Sequence, residues 1–355
     1  MLQGAEKADS RGEELSRGWA QPAAPGQTSL IARRDNVIPM PTLRLSTLLA
    51  LPIACAIALA IHLFVSKEEP TIETHSYTIF LCIISAATVF AAAMQPLWKN
   101  LRRWMRNTYP IFAVAVLILC LWEVITTGLR LLPLPYFPSP AAVLQNMLND
   151  RALLFDSTWH SLILLLSGYA LGVAAGLISG VCIGWSSPIR YWGMPVLKIV
   201  GPIPATAWIP LAMVVSPSAV ISAAALIALA VWFPVTMLTA SGISNTRASY
   251  LDVARTLGAR RSYLIFHVAI PAAIPNIFVG LFMGLGASFL TLVVAETVGV
   301  KSGLGWYVSW AQGWAEYGKV FAALIIMAAF FSTIMTLLFK MRDRVLVWQK
   351  GIIKW

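Results

Sequence analysis

Charge is what this chain has least of: across 355 residues only 12% are Asp, Glu, Lys or Arg, about half the share found in soluble globular domains. Set beside 58% hydrophobic residues, that shortage excludes a water-facing surface over most of the molecule and leaves a lipid-embedded one. Four cysteines (Cys55, Cys82, Cys120, Cys182) sit in apolar runs without short mutual spacing, and His62, His75, His160 and His267 are scattered. Neither a disulfide framework nor a metal site fits such spacing. No paired carboxylates and no Ser/His/Asp or Cys/His set recur at one membrane depth, so a membrane-embedded enzyme lacks its reacting groups.

Long apolar runs are what the chain has instead. Residues 1–44, rich in Gly, Ala, Pro and charge, carry no apolar periodicity and read as a disordered tail. The run 46–65 has the length that crosses a hydrocarbon core, and it starts too deep and runs too long for a cleaved signal peptide. Further runs follow at 77–98, 109–129, 157–185, 192–215, 219–240, 271–298 and 320–339. An all-α polytopic membrane protein of about eight transmembrane helices is expected. Lys198, Pro202, Pro204 and Pro210 interrupt the fifth run. A broken helix at membrane depth persists only where protein or water covers its freed backbone groups, so this run is expected to line an interior.

Basic residues test the count. With both termini cytoplasmic, 20 of the 26 Lys and Arg fall on the cytoplasmic side, in the N-terminal tail, 99–106, Arg190, 247–261 and beyond 339. Lys67, Arg130, Arg151, Lys301 and Lys319 fall opposite, and Lys198 lies within a span. That asymmetry obeys the positive-inside rule. The formal net charge of +11 therefore orients the chain and meets headgroups; it does not imply nucleic acid.

Several motifs stand out against this background. Gly168, Gly172, Gly176, Gly180 and Gly184 recur every four residues, which drifts about 40° per step and forms one groove for close backbone approach. Intramolecular packing, a homodimer seam or a sliding surface would each use such a groove. Segment 313–320, GWAEYGKV, matches part of a phosphate-binding loop. Val320 stands where Ser or Thr would hold magnesium, Trp314 and Tyr317 are too bulky, and no strand precedes it. The match reads as chance. Trp306, Trp310 and Trp314 at i, i+4 and i+8 suit an interfacial anchor or a docking surface. Glu123 and Glu296 are acids in or near spans, which either reach headgroups or mark a solute path; Glu296 precedes the glycine-rich run 300–305, VKSGLG.

The stretch 249–276, SYLDVARTLGARRSYLIFHVAIPAAIPN, is charged and glycine-interrupted, and it falls on the cytoplasmic side. Leu251, Ala254 and Leu257 recur every three residues, giving an amphipathic helix beside Asp252, Arg255, Arg260 and Arg261. Gly258 allows a sharp bend, and Pro271 and Pro275 mark the return into the membrane. A solvated loop, a helix resting on headgroups and a protein-docking helix all remain open from the residues alone.

Asp252, Val253 and Ala254, then Gly258 and Ala259, then Ile270 and Pro271 resemble the EAA loop of binding-protein-dependent ABC importer permeases, with Asp for the usual Glu and Val253 for the first Ala. Segments 134–143 (LPYFPSPAAV), 203–211 (IPATAWIPL) and 295–305 (AETVGVKSGLG) resemble the nitrate, taurine, sulfonate and bicarbonate branch. The resemblance runs from about Tyr109 to the C-terminus. It implies an ABC type I importer core of about six spans over 109–340, with loop 247–271 cytoplasmic, an additional hairpin at 45–98 and a basic tail at 341–355. The implied cargo is a small solute, an oxyanion such as nitrate, taurine or another alkanesulfonate, or bicarbonate. Implied partners are a second permease copy, cytoplasmic ATP-binding subunits that hold ATP and Mg, and an extracytoplasmic solute-binding protein. This chain itself would bind no cofactor. Leu251, Ala254 and Leu257 would fill a groove on the ATPase, Gly258 would make the bend, Asp252, Arg255 and Arg260 would make rim contacts, and Ala259 and Pro271 complete the loop motif. Glu296, Trp208, Gly303 and Gly305 are candidates for a gate or path. Localisation would be the bacterial inner membrane. An ATP-independent channel or secondary transporter, its loop resting on headgroups, is the competing reading.

Overall fold

A computed structural model describes residues 46–65, 75–94, 99–132 and 135–347. The tail 1–44 and positions 348–355 of the basic C-terminal tail lie outside the described residues. The helices in chain order are α1 (Ser46–Val65), α2 (His75–Met94), α3 (Lys99–Glu123), α4 (Pro140–Asn149), α5 (Arg151–Trp185), α6 (Ser187–Val200), α7 (Ile209–Val215), α8 (Ala219–Ser244), α9 (Ala248–Thr256), α10 (Arg261–Tyr263), α11 (Ile270–Val298), α12 (Leu304–Gly313) and α13 (Tyr317–Val345). Two π-turns, Val124–Gly128 and Leu264–Ala269, extend α3 and join α10 to α11. A 3₁₀ turn, Ala205–Trp208, precedes α7. Helix is the outcome lipid demands, because every backbone polar group must be satisfied within its own segment.

Six of the described helical stretches are long and apolar enough to cross a membrane: 75–94, 108–128, 151–185, 219–244, 261–298 and 317–345. α1 (Ser46–Val65) has 20 residues, the length that crosses a hydrocarbon core, and its stretch Leu49–Phe64 is apolar. The fifth run departs most from a simple rod. α6 and the stretch Ala205–Val215 meet at 83°, at a break where Pro202 and Pro204 supply no backbone N–H. Against the expected eight spans stand these six, the bent pair as a seventh, and the 20-residue α1. Counting the pair as a span also keeps the basic stretches 99–106 and 247–261 on one face, as the charge asymmetry requires.

The core of the molecule is α8, buried between α5 on one side and α11 on the other. A Cβ on Gly168, Gly172, Gly176, Gly180 or Gly184 would come within 2.5–2.9 Å of α8 atoms: Ile227, Ala228, Val235, Thr239 or Ala240, respectively. All five glycines face one helix. On the opposite side Gly280 lies on Pro234 and Gly284 on Val231. Lipid tails are as apolar as leucine, so close van der Waals packing and interhelical hydrogen bonds must select partners. Here the Trp232 indole N–H donates to Ser179 Oγ (3.0 Å), which pairs with Thr236 Oγ1 (2.8 Å), and the Tyr169 hydroxyl donates to the Leu281 carbonyl (2.9 Å). Arg190 donates to the carbonyls of Ile183 (3.1 Å) and Gly184, closing the C-terminal end of α5.

Replacing Gly176 with Leu should drive a side chain into Val235 and lower stability by about 2 kcal/mol or more, read as a fall in the thermal midpoint of the detergent-solubilised protein. Gly286 on α11 has open space around its Cβ position. Gly286→Ala should stay within about 1 kcal/mol of the parent and carry no such penalty.

Candidate functional site

Two regions gather the residues singled out from the sequence. In the first, α9 leaves the end of α8 and stops at Gly258, whose φ of +81° favours glycine. Gly258 N–H donates to the Arg255 carbonyl (2.9 Å) and Ala259 N–H to the Ala254 carbonyl (3.0 Å). That is the Schellman arrangement, with the left-handed residue at the position just past the helix. The chain then re-enters at Arg261 and runs through α10, the second π-turn and α11 as one 38-residue stretch, so α9 is a short crosspiece between two long spans. Pro271 sits within the first turn of α11, where its missing N–H costs little.

The exposed face of α9 differs from the expected one. Leu251 and Ala254 are half-buried. The exposed apolar row is Tyr250, Val253 and Leu257, the last 83% exposed. These recur at i, i+3 and i+7, an equally regular pattern that lacked one datum, namely which side the neighbouring span covers. Ala254, Leu257 and Gly258 join Tyr263 and His267, whose rings stack 4.4 Å apart, to line an open groove of about 660 Å³ between α9 and the foot of α11. Asp252 and Arg255 form an exposed ion pair at 2.9 Å, which leaves Arg260 as the cationic residue lining the groove.

The second region lies near the opposite ends of α5 and α11. Glu296 is 1% exposed, and both its oxygens are engaged. The Ser161 hydroxyl donates to Oε1 (2.7 Å) and accepts from Leu304 N–H (2.9 Å), while Gly305 N–H donates to Oε2 (2.8 Å). The carboxyl group thus satisfies donors at the N-terminus of α12, the position where negative charge meets the helix dipole. Gly303 adopts φ +103°, and a Cβ there or on Gly305 would strike Glu296. Three of the four gate or path candidates therefore form one cap joining α5, α11 and α12. Trp208 stands apart in the bent pair, half-buried, its Nε1 without an acceptor among the described residues.

Beside that bend lies a cavity of about 320 Å³ lined by Gly201, Pro204, Thr206, Phe233, Met283 and Thr291 among others, with no charged side chain in its wall. Lys319, the lysine of the phosphate-loop-like segment, is tied to Glu316 (2.8 Å) and Asp150 (3.3 Å) and lies 4.9 Å from the Trp310 ring. Gly318 is small because Asn146 of α4 crosses it. Tyr307 donates to Asp150 (2.7 Å), and burial with that contact holds its phenol well above the ordinary range. Trp306 and Trp310 stack 6.2 Å apart and pack on the buried cluster around Leu304 and Tyr307, leaving Trp314 as the exposed member of the stripe.

Residues 172–346 match the family described as binding-protein-dependent transport system inner membrane component. A relative named for aliphatic sulfonates transport in Bacillus subtilis is 32% identical over 63% of this chain and 80% of its own length. The chain belongs to this permease family. A taurine transport system permease of Escherichia coli is 30% identical over 62% of this chain and 82% of its own, and a nitrate import permease of Synechocystis is 29% identical over 64% and 84%. The protein is accordingly a multi-pass inner-membrane permease subunit of an ABC importer, on the sulfonate, taurine and nitrate branch. The matched segment takes in the C-terminal part of α5, the bent pair, α8, the α9 crosspiece, α11, α12 and α13. α1 to α4 and the first part of α5 lie outside it.

For the permease, Glu296→Leu should orphan the Gly305 N–H and the Ser161 hydroxyl and cost about 3 kcal/mol. Glu296→Gln retains an acceptor and should cost less. Thermal midpoints of the two variants check this, and equal midpoints with the parent would refute the cap.

Proposed function

We propose that α9 is the surface on which a cytoplasmic ATP-binding subunit docks, and that ATP and Mg are bound and hydrolysed there and not in this chain. One observation carries this reading: a nine-residue crosspiece, joined to two packed spans, turns the apolar row Tyr250, Val253 and Leu257 outward. Such a row on a polar crosspiece suits burial against a protein partner. Leu251 and Ala254 then brace the crosspiece from within, Leu257 enters the partner, Gly258 makes the bend, Ala259 closes the Schellman turn, and Asp252, Arg255 and Arg260 meet the partner's rim. Movement of α9 is transmitted to α8 and α11 because both are continuous with it, which couples nucleotide-driven closure to alternating access.

The solute route passes the bend between α6 and α7. The uncharged cavity wall there supports weak retention of an anion, so that selection rests with an extracytoplasmic solute-binding protein. Its volume corresponds to about ten water molecules, compatible with a small oxyanion such as nitrate, bicarbonate, taurine or another alkanesulfonate, the last two and nitrate being the solutes named for the relatives. A second copy of this chain completes the route, since a broken helix at membrane depth needs cover from protein or water. Both termini lie in the cytoplasm, on the strength of the basic-residue asymmetry.

The experiment is co-expression with the ATP-binding subunits of the same genome, followed by co-purification and ATPase assay. A Cβ at Gly258 meets nothing within 4 Å in this chain, so beyond the backbone strain at its φ of +81° only a partner would feel a side chain there. Gly258→Trp should abolish the complex while membrane insertion persists; Gly258→Asn, which tolerates the left-handed conformation, should retain it. A Gly258→Trp complex with parental ATPase activity would sink the docking surface. In the same assay Val253→Asp should weaken association, and Glu296→Gln should not.

A further inference from the structure

The hairpin α1–α2 lies outside the family segment, yet it is not loosely attached. Leu51, Ala54 and Cys55 of α1 pack on Met105, Tyr109 and Ala113 of α3, and Ala58, Tyr77 and Leu81 pack with Cys120 and Ala141. Apolar contact alone would not distinguish α3 from surrounding lipid. A polar cluster does. His62 Nδ1 lies 2.6 Å from Glu123 Oε1, with both side chains 2% exposed. His62 Nε2 lies 3.0 Å from Thr78 Oγ1, and the Tyr77 ring stands edge-on to the imidazole at 4.9 Å. One residue each from α1, α2 and α3 thus meets in a buried site.

Burying a carboxylate and an imidazole at the end of a span is costly unless each finds the other, and removing one partner leaves an uncompensated polar group. We propose that His62, Thr78 and Glu123 form a latch that fixes the N-terminal hairpin to the first core span as a permanent part of the permease. Glu123 directly precedes the first π-turn. The neighbouring Trp122 donates to the Pro138 carbonyl (3.1 Å) and packs its ring 5.6 Å from Phe321 of α13. Ser139 then caps α4, accepting from Ala142 N–H (3.3 Å), and α4 crosses α13 at Gly318. A hairpin held at Glu123 is therefore held to the segment that carries α4.

The latch is read by electron–electron distance measurement on the full chain in lipid nanodiscs. Spin labels go at Phe64→Cys on α1 and Phe155→Cys on α5, both exposed positions, after the four native cysteines are replaced by alanine. The parent should give a single narrow distance. Glu123→Leu and His62→Leu should each lose it, and the exchanged pair His62→Glu with Glu123→His should restore it. Leu59→Ala removes apolar contact and spares the cluster, so it should stay narrow. A second label pair within the core, Phe155→Cys with Val298→Cys, verifies that each variant is folded. Unchanged distances in both single variants would overturn the latch, as would loss in Leu59→Ala equal to theirs, because apolar packing would then account for attachment.

Discussion

The close approach of α5 to α8 is the contact on which the rest of the permease depends. Five glycines at four-residue spacing clear the Cβ atoms from one face of α5 over 168–184, and the resulting groove admits Ile227, Val231, Val235, Thr239 and Ile243 of α8. In lipid this is how two apolar helices recognise one another, through contact area and not through exclusion of water. With α8 fixed on α5, its other face receives α11 through Gly280 and Gly284. The three spans form a block, and the functional segments project from its ends.

At one end, α9 bridges α8 and α11 with only a short turn on either side. Its Schellman turn and the exposed row beside it are local consequences of Gly258, but its mechanical value comes from the block. A crosspiece attached to flexible segments would move without moving the spans. At the other end, the Glu296 carboxyl group gathers α5, α11 and α12 by accepting from both Ser161 and Gly305. A group singled out as a candidate for a gate or path also joins three helices, and the cavity at the bend of the fifth run is lined without charge.

Much of this was legible in the sequence, and the failures have identifiable causes. The glycine spacing announced a groove, the prolines of 192–215 announced the break, and the run 249–276 announced a crosspiece that bends at Gly258. What a pattern at helical spacing cannot tell is which of two overlapping faces a neighbour covers; Leu251 and Ala254 turned inward and Tyr250 and Val253 outward for that reason. The contact of Glu296 with Ser161 was hidden because the two lie 135 residues apart in the chain. His62 read as one of four scattered histidines because its partner Glu123 is 61 residues distant. Spacing along a helix reports only neighbours within a turn or two.

Among the described residues, polar side chains inside this protein are few; several stand at joints between helices, while others such as Thr126, Ser288 and Thr291 bond carbonyls of their own helix. Ser179, Thr236 and Trp232 join α5 to α8; Tyr169 joins α5 to α11; Ser161 and Glu296 join α5, α11 and α12; His62, Thr78 and Glu123 join the hairpin to α3. The distribution follows from the solvent. A polar atom facing lipid must find a partner, on its own helix as Thr333 and Thr336 do or on another, and each one that bonds across helices specifies a contact that apolar packing would leave interchangeable. Spending polarity at the joints leaves the cavity at the bend with hydroxyls and backbone groups but no fixed charge. A solute that crosses there meets neither a counter-ion that would hold it nor a like charge that would turn it back.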